Sequence, residues 1–143
     1  MQINDFHLTC SSIMDTYGLH SITCKRGEFG PVYRHNGLRN TLFSSCQRAA
    51  WSPKLEIPCV PGTKHTPADI YIPCGPSKFL ACDLTIVHPQ SKHLKSHCAK
   101  EDDYANQFAE HKKHTKYDKI MPPEITFKPL AMEFFGRLSP NFK

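Results

Sequence analysis

Two short apolar runs, each carrying one aspartate, constrain this chain more than anything else in it. The first is Thr66-Pro67-Ala68-Asp69-Ile70-Tyr71-Ile72 and the second is Phe79-Leu80-Ala81-Cys82-Asp83-Leu84-Thr85-Ile86. Both are rich in the β-branched and aromatic residues that favour strands. The connector Pro73-Cys74-Gly75-Pro76-Ser77-Lys78 has the Pro and Gly content of a hairpin loop. Aspartate is disfavoured inside strands, and buried acids are almost always paired or liganded. Either the two acids converge on a hard cation, or one of them faces solvent. Mg²⁺ is commonly held by one or two carboxylates plus water and substrate phosphate. With a lysine nearby, such a pair suits metal-dependent phosphodiester chemistry.

Size and composition narrow the classes. At 143 residues the chain is one ordinary domain with room for a small appended module, and it can bury a core without staples. Eighteen Lys and Arg stand against 13 Asp and Glu, a formal charge of +5, and nine histidines add to it at lower pH. A mildly basic surface suits a polyanion partner. No apolar run reaches the ~18 residues of a membrane span. Met1-Gln2-Ile3-Asn4-Asp5 lacks the charged-then-apolar layout of a signal peptide. The seven cysteines are therefore expected to be thiols or metal ligands rather than disulfides. Cys46, Cys59, Cys74 and Cys82 fall in or beside expected core elements, as small buried residues do.

Along the chain, apolar spacing predicts a helix over 36–49 with Asn36 as its N-cap. A short strand is expected at Lys54-Leu55-Glu56-Ile57-Pro58, a loop over 60–65, and strands around 68–72 and 79–87. Residues 89–99 are polar and read as irregular. A helix over 101–119, with Ala105, Phe108 and Ala109 on one side, is stopped by Pro122-Pro123. Residues 125–134 read as a last strand, with Pro129 at a bulge or an edge. The order is α-β-β-β-α-β over residues 31–143. Ahead of it, residues 1–30 form a Cys/His-rich head with a basic turn at Lys25-Arg26-Gly27. His20 and Cys24 have an H-x3-C spacing, and Cys10 lies upstream of both. Structural Zn²⁺ takes four N/S ligands, and it supplies the stability that a head so poor in apolar residues lacks.

In that order of elements, six segments occur together. They are Gly18-Leu19-His20-Ser21-Ile22-Thr23-Cys24-Lys25, Arg34-His35-Asn36, Pro67-Ala68-Asp69, Asp83-Leu84-Thr85-Ile86, Lys113-His114-Thr115-Lys116-Tyr117, and Phe127-Lys128-Pro129-Leu130-Ala131-Met132-Glu133-Phe134-Phe135-Gly136. The combination, over about residues 7–137, resembles the PD-(D/E)xK nucleases, the restriction-endonuclease-like α/β fold. It is most similar to the restriction-like endonuclease domains of site-specific non-LTR retrotransposons.

The resemblance implies a metal-dependent endonuclease that nicks or cuts double-stranded DNA in the nucleus. Asp69 would be the acid of the first half-motif and Asp83 that of the second, both on Mg²⁺ or Mn²⁺. The chain departs from the simple pattern in Pro67-Ala68-Asp69, with one inserted residue, and in Thr85, where the motif lysine is expected. In this branch the lysine resembles one that has moved to the following helix, and Lys113 and Lys116 are equal candidates, three apart on one face, with a solvated or DNA-facing basic stripe of Lys112, Lys113, Lys116 and Lys119 as the alternative. Glu56 is a candidate third carboxylate, with an exposed strand acid as the alternative; Glu133 reads as structural. In the head, the relatives' first cysteine falls at Leu8, so His7 stands in for it and the implied zinc set is His7, Cys10, His20 and Cys24. Lys25, Arg26, Arg34, His35 and Arg39 suit phosphate contacts. His88, His93, His97, Cys98 and His111 form a polar cluster without a clean ligand pair. The retrotransposon relatives carry a reverse transcriptase for which 143 residues leave no room. An excised domain, an element remnant and a stand-alone protein all fit. A catalytically inactive, zinc-stabilised DNA-binding module is the rival reading, and a plain zinc-binding interaction domain a third. On the nuclease reading, Asp69→Ala and Asp83→Ala each abolish cleavage and leave folding and DNA binding largely intact.

Overall fold

The computed structural model describes residues 16, 20, 24, 30–58 and 66–142. The chain divides into two compact units, Met1–Leu38 and Arg39–Lys143. In the first, the Cys24 amide donates to the His20 carbonyl at 2.8 Å. His7, Cys10, Lys25 and Arg26 lie outside the described residues.

Helix α1 runs Pro31–Arg48. It starts at Pro31 rather than at the expected Asn36 cap. Proline fits the first helical position because its missing N–H would have no intrahelical partner and its φ is already helical. Asn36 lies inside the helix. At the other end Trp51 N donates to Cys46 O and Ala50 N to Gln47 O, both at 3.0 Å. Ala50 sits at φ +59°. This is the paired 6→1 and 5→2 closure that usually employs glycine.

The second unit is a mixed α/β assembly around one four-stranded sheet. Its strands are β1 (Lys54–Leu55), β2 (Ile70–Gly75), β3 (Lys78–Val87) and β4 (Ile125–Glu133), in the order β1-β2-β3-β4. The first two pairings are antiparallel, and β3–β4 is parallel. A parallel neighbour needs a crossover, here α2 (Lys95–Cys98) and α3 (Tyr104–Tyr117). The expected order of elements is present, with α2 added inside the stretch read as irregular. The hairpin turns on Pro76-Ser77, with Ser77 at φ +57°.

Ile70 to Ile72 and Ala81 to Leu84 are buried as continuous runs, the mark of strands covered on both faces. Ala68, Tyr71 and Ala81 form a core cluster with Ile57, Met121, Ile125 and Phe127 against it. Each large apolar side chain so buried contributes about 1.5–3 kcal/mol. Pro129 stands on edge strand β4 with no bulge, since the register runs unbroken from Phe79↔Ile125 to Val87↔Glu133. The chain then folds back along that edge. Ser139 N donates to Ala131 O at 2.9 Å and Asn141 Nδ2 to Pro129 O at 3.2 Å, which shields exposed ladder groups. Among the described residues no helix is long and apolar enough to cross a membrane.

Candidate active site

Side chains alternate along a strand, so Ala81, Asp83 and Thr85 share one face of β3. Tyr71 pairs with Ala81 and Ile70 with Cys82. One step further along this antiparallel register, Asp69 comes opposite Asp83. The ladder opens there: Asp69 N donates to Cys82 O at 2.9 Å. The Asp69 carboxylate is itself held, its Oδ2 accepting from the Leu84 amide at 2.7 Å. The amide that fixes Asp69 thus belongs to the residue after Asp83.

Asp83 is 7% exposed. Its Oδ2 lies 2.7 Å from Lys113 Nζ, an ion pair delivered by α3. Lys116, the equal candidate by spacing, is directed elsewhere. Its ammonium lies 4.7 Å from the centre of the Tyr117 ring, while that of Lys113 is 5.8 Å away. The hydrogen bond to Tyr117 raises the Lys116 pKa, followed by the charges of Tyr117 and then Asp83. Lys116 therefore feels Asp83 at a distance and contacts Tyr117 directly.

Glu56 follows β1 at φ +45°, and its amide donates to the Asp69 carbonyl at 3.0 Å. Its backbone is beside the site, but its carboxylate is paired with Arg39. Arg39 also contacts Asn40 Oδ1 at 3.2 Å, and only 16% of its side chain is exposed. Its guanidinium is thus engaged with Glu56, although its charge suited a DNA phosphate. Arg34 and His35 are half-buried on the first part of α1, in the other unit.

The donors available to a cation are the carboxylate oxygens of Asp69 and Asp83, which suit a hard divalent ion. The Lys113 ammonium on Asp83 is a resident cation at that position and shows that it accepts positive charge. Among the described residues no three His, Cys, Asp or Glu side chains form a metal-holding group. A two-carboxylate site leaves coordination positions to water and phosphate, as Mg²⁺ sites usually do.

Sequence reasoning passed over the cleft next to this pair. It has a volume of about 350 Å³, lies between the end of β3 and α3, and is lined by Thr85, His88, Ser91 and Phe108 together with Lys112, Lys113 and Lys116. Thr85 carried the one available signal, being two residues beyond Asp83 and so on its face. No protein-family model matches this chain, and no match to it is found among curated proteins or solved structures.

Proposed function

We propose that this protein is a metal-dependent endodeoxyribonuclease of the PD-(D/E)xK, restriction-endonuclease-like kind, derived from a retrotransposon. The observation that supports it most is that the Leu84 amide holds the Asp69 carboxylate beside the residue next to Asp83, whose own carboxylate pairs with Lys113. The α-β-β-β-α-β element order supports it as well.

Asp69 and Asp83 would hold Mg²⁺ or Mn²⁺ at the scissile phosphate. When bound, such an ion polarises the phosphoryl oxygen and lowers the pKa of a coordinated water. The Leu84 amide fixes the Asp69 carboxylate against β3. Lys113 compensates the Asp83 charge in the free protein and, released from it, stabilises charge developing on the phosphate. Arg39 engages the Glu56 carboxylate, so the two aspartates act without it. The basic surface takes double-stranded DNA, and a nuclear location follows from the same reading. His20 and Cys24, joined by a backbone hydrogen bond, would be half of a zinc site completed by His7 and Cys10.

One observation favours the inactive DNA-binding module instead. Thr85 occupies the motif-lysine position, and Lys113 contacts the carboxylate that a metal needs. Plasmid nicking separates the two readings. Purified protein is expected to convert supercoiled DNA to open circles in Mg²⁺ or Mn²⁺, to stop in EDTA, and to lose activity in Asp83→Asn. Retention of DNA in a gel shift without nicking in either metal selects the inactive module.

A further inference from the structure

We propose that the cleft lined by Lys112, Lys113 and Lys116 receives a backbone phosphate of double-stranded DNA, and that this phosphate draws Lys113 off Asp83 and so opens the cation site. The inference rests on the nuclease reading for its polymer and deepens it by stating how the site is filled.

Lys113 belongs both to the cleft lining and to the ion pair with Asp83. Its ammonium lies 2.7 Å from Asp83 Oδ2, an oxygen that is itself buried. A divalent cation sits about 2.0–2.6 Å from a carboxylate oxygen. The ammonium and such an ion compete for one place, and two cations that close repel strongly. Metal therefore reaches this oxygen once Lys113 has left it. Asp83 is only 7% exposed, so its carboxylate needs one cation or the other.

The cleft supplies the place for Lys113 to go. The Lys113 side chain is 29% exposed, and Lys112 and Lys116 beside it are exposed. No Asp or Glu is among the residues that line the cleft. The three lysines stand within four residues on α3, close enough for their like charges to repel. A phosphate among them relieves that repulsion, and lysine binds phosphate well as a point charge. A volume of about 350 Å³ admits the phosphate with its sugar. The exchange keeps charge balanced. In the free protein Lys113 neutralises Asp83; in the complex the metal ion neutralises Asp83 and Lys113 meets the phosphate. Each occupant thus favours the other, and by linkage DNA raises cation affinity by the factor that the cation raises DNA affinity.

The test is a double-mutant cycle on duplex affinity in EDTA, where neither metal nor cleavage enters. Binding of a fluorescein-labelled double-stranded oligonucleotide is followed by anisotropy for the parent, Asp83→Asn, Lys113→Gln and the double variant. If Asp83 retains Lys113 for about nine-tenths of the time, Asp83→Asn tightens binding on the order of tenfold. In the Lys113→Gln background the same change should be worth less than about twofold. Adding Lys113→Gln to Asp83→Asn should cancel the gain, a comparison that does not need the single Lys113→Gln variant to fold. Asparagine keeps the shape of Asp83 and the double variant leaves no buried charge unpaired, so both are expected to fold, as a thermal melt would verify. Lys112→Met and Lys116→Met should each lower the slope of log affinity against log salt by about one. No affinity for the duplex, no gain in Asp83→Asn, an equal gain with and without Lys113, or salt slopes unchanged in both Lys112→Met and Lys116→Met overturns the proposal. The nuclease reading fails on a different result, the absence of metal-dependent nicking, which leaves this comparison intact.

Discussion

Lys113 and Lys116 stand three residues apart on one helix, and spacing alone could not choose between them. Tyr117 separates them, drawing the Lys116 ammonium over its ring while Lys113 reaches Asp83. Lys113→Met is expected to slow single-turnover nicking by on the order of 10²–10³, the usual cost of removing a charge-stabilising group. Lys116→Met should stay within about tenfold of the parent, since it contacts no acid directly. The aspartates also differ from each other in a way their sequence positions concealed. Asp69 accepts the Leu84 amide, so Asp69→Ala orphans a donor and should lower stability by about 1–3 kcal/mol in urea unfolding. Asp69→Asn keeps an acceptor oxygen and should lose much less. Asp69→Ala is thus expected to fold with reduced stability, and asparagine is the cleaner probe of catalysis.

At the scale of elements, strands were the most legible part. β-Branched and aromatic content located β2, β3 and β4 to within a few residues, because burial on both faces leaves a dense apolar run. Helix α1 was harder: Asn36 resembled a cap, whereas Pro31 supplied the real start. The four-residue α2 is polar and carries no apolar periodicity to detect. The end of α1 offers a test. Ala50 is in the left-handed region, where glycine suffers no Cβ penalty. Ala50→Gly should raise stability by about 0.5–1 kcal/mol. The strands make a second prediction through Cys82. Burial, reinforced by the neighbouring Cys46 thiol, pushes the Cys82 thiol from the usual 9.0 up to about 12, and burial also raises Cys46. A folded pKa above the unfolded one gives stability that is complete below pH 9 and is lost as pH rises toward 12. Stability measured by denaturant should fall across that window. Iodoacetamide mapped by mass spectrometry should label exposed Cys74 before Cys46 or Cys82.

For the molecule as a whole, the formal charge of +5 argues for a polyanion but does not locate it. Binding that neutralises about two to four phosphates should weaken by on the order of ten- to a hundredfold between about 50 and 200 mM salt. A flat salt response would indicate a partner other than nucleic acid. The sequence could name Asp69 and Asp83 and narrow the lysine to Lys113 or Lys116, but the Leu84 contact depends on the β2–β3 pairing and the Lys113 contact on the β3–α3–β4 crossover.

The central claim is that Asp69 and Asp83 form one divalent-cation site with Lys113 as its resident counter-charge. Mn²⁺ binding, followed by the loss of the free-ion electron paramagnetic resonance signal, tests it without requiring turnover. The wild-type protein should bind Mn²⁺ in a manner competed by Mg²⁺, Asp69→Asn and Asp83→Asn should each weaken binding, and Lys113→Met should bind at least as tightly as the parent because a competing cation is gone. Mn²⁺ binding that survives both aspartate substitutions, or that is lost in Lys113→Met, would contradict it.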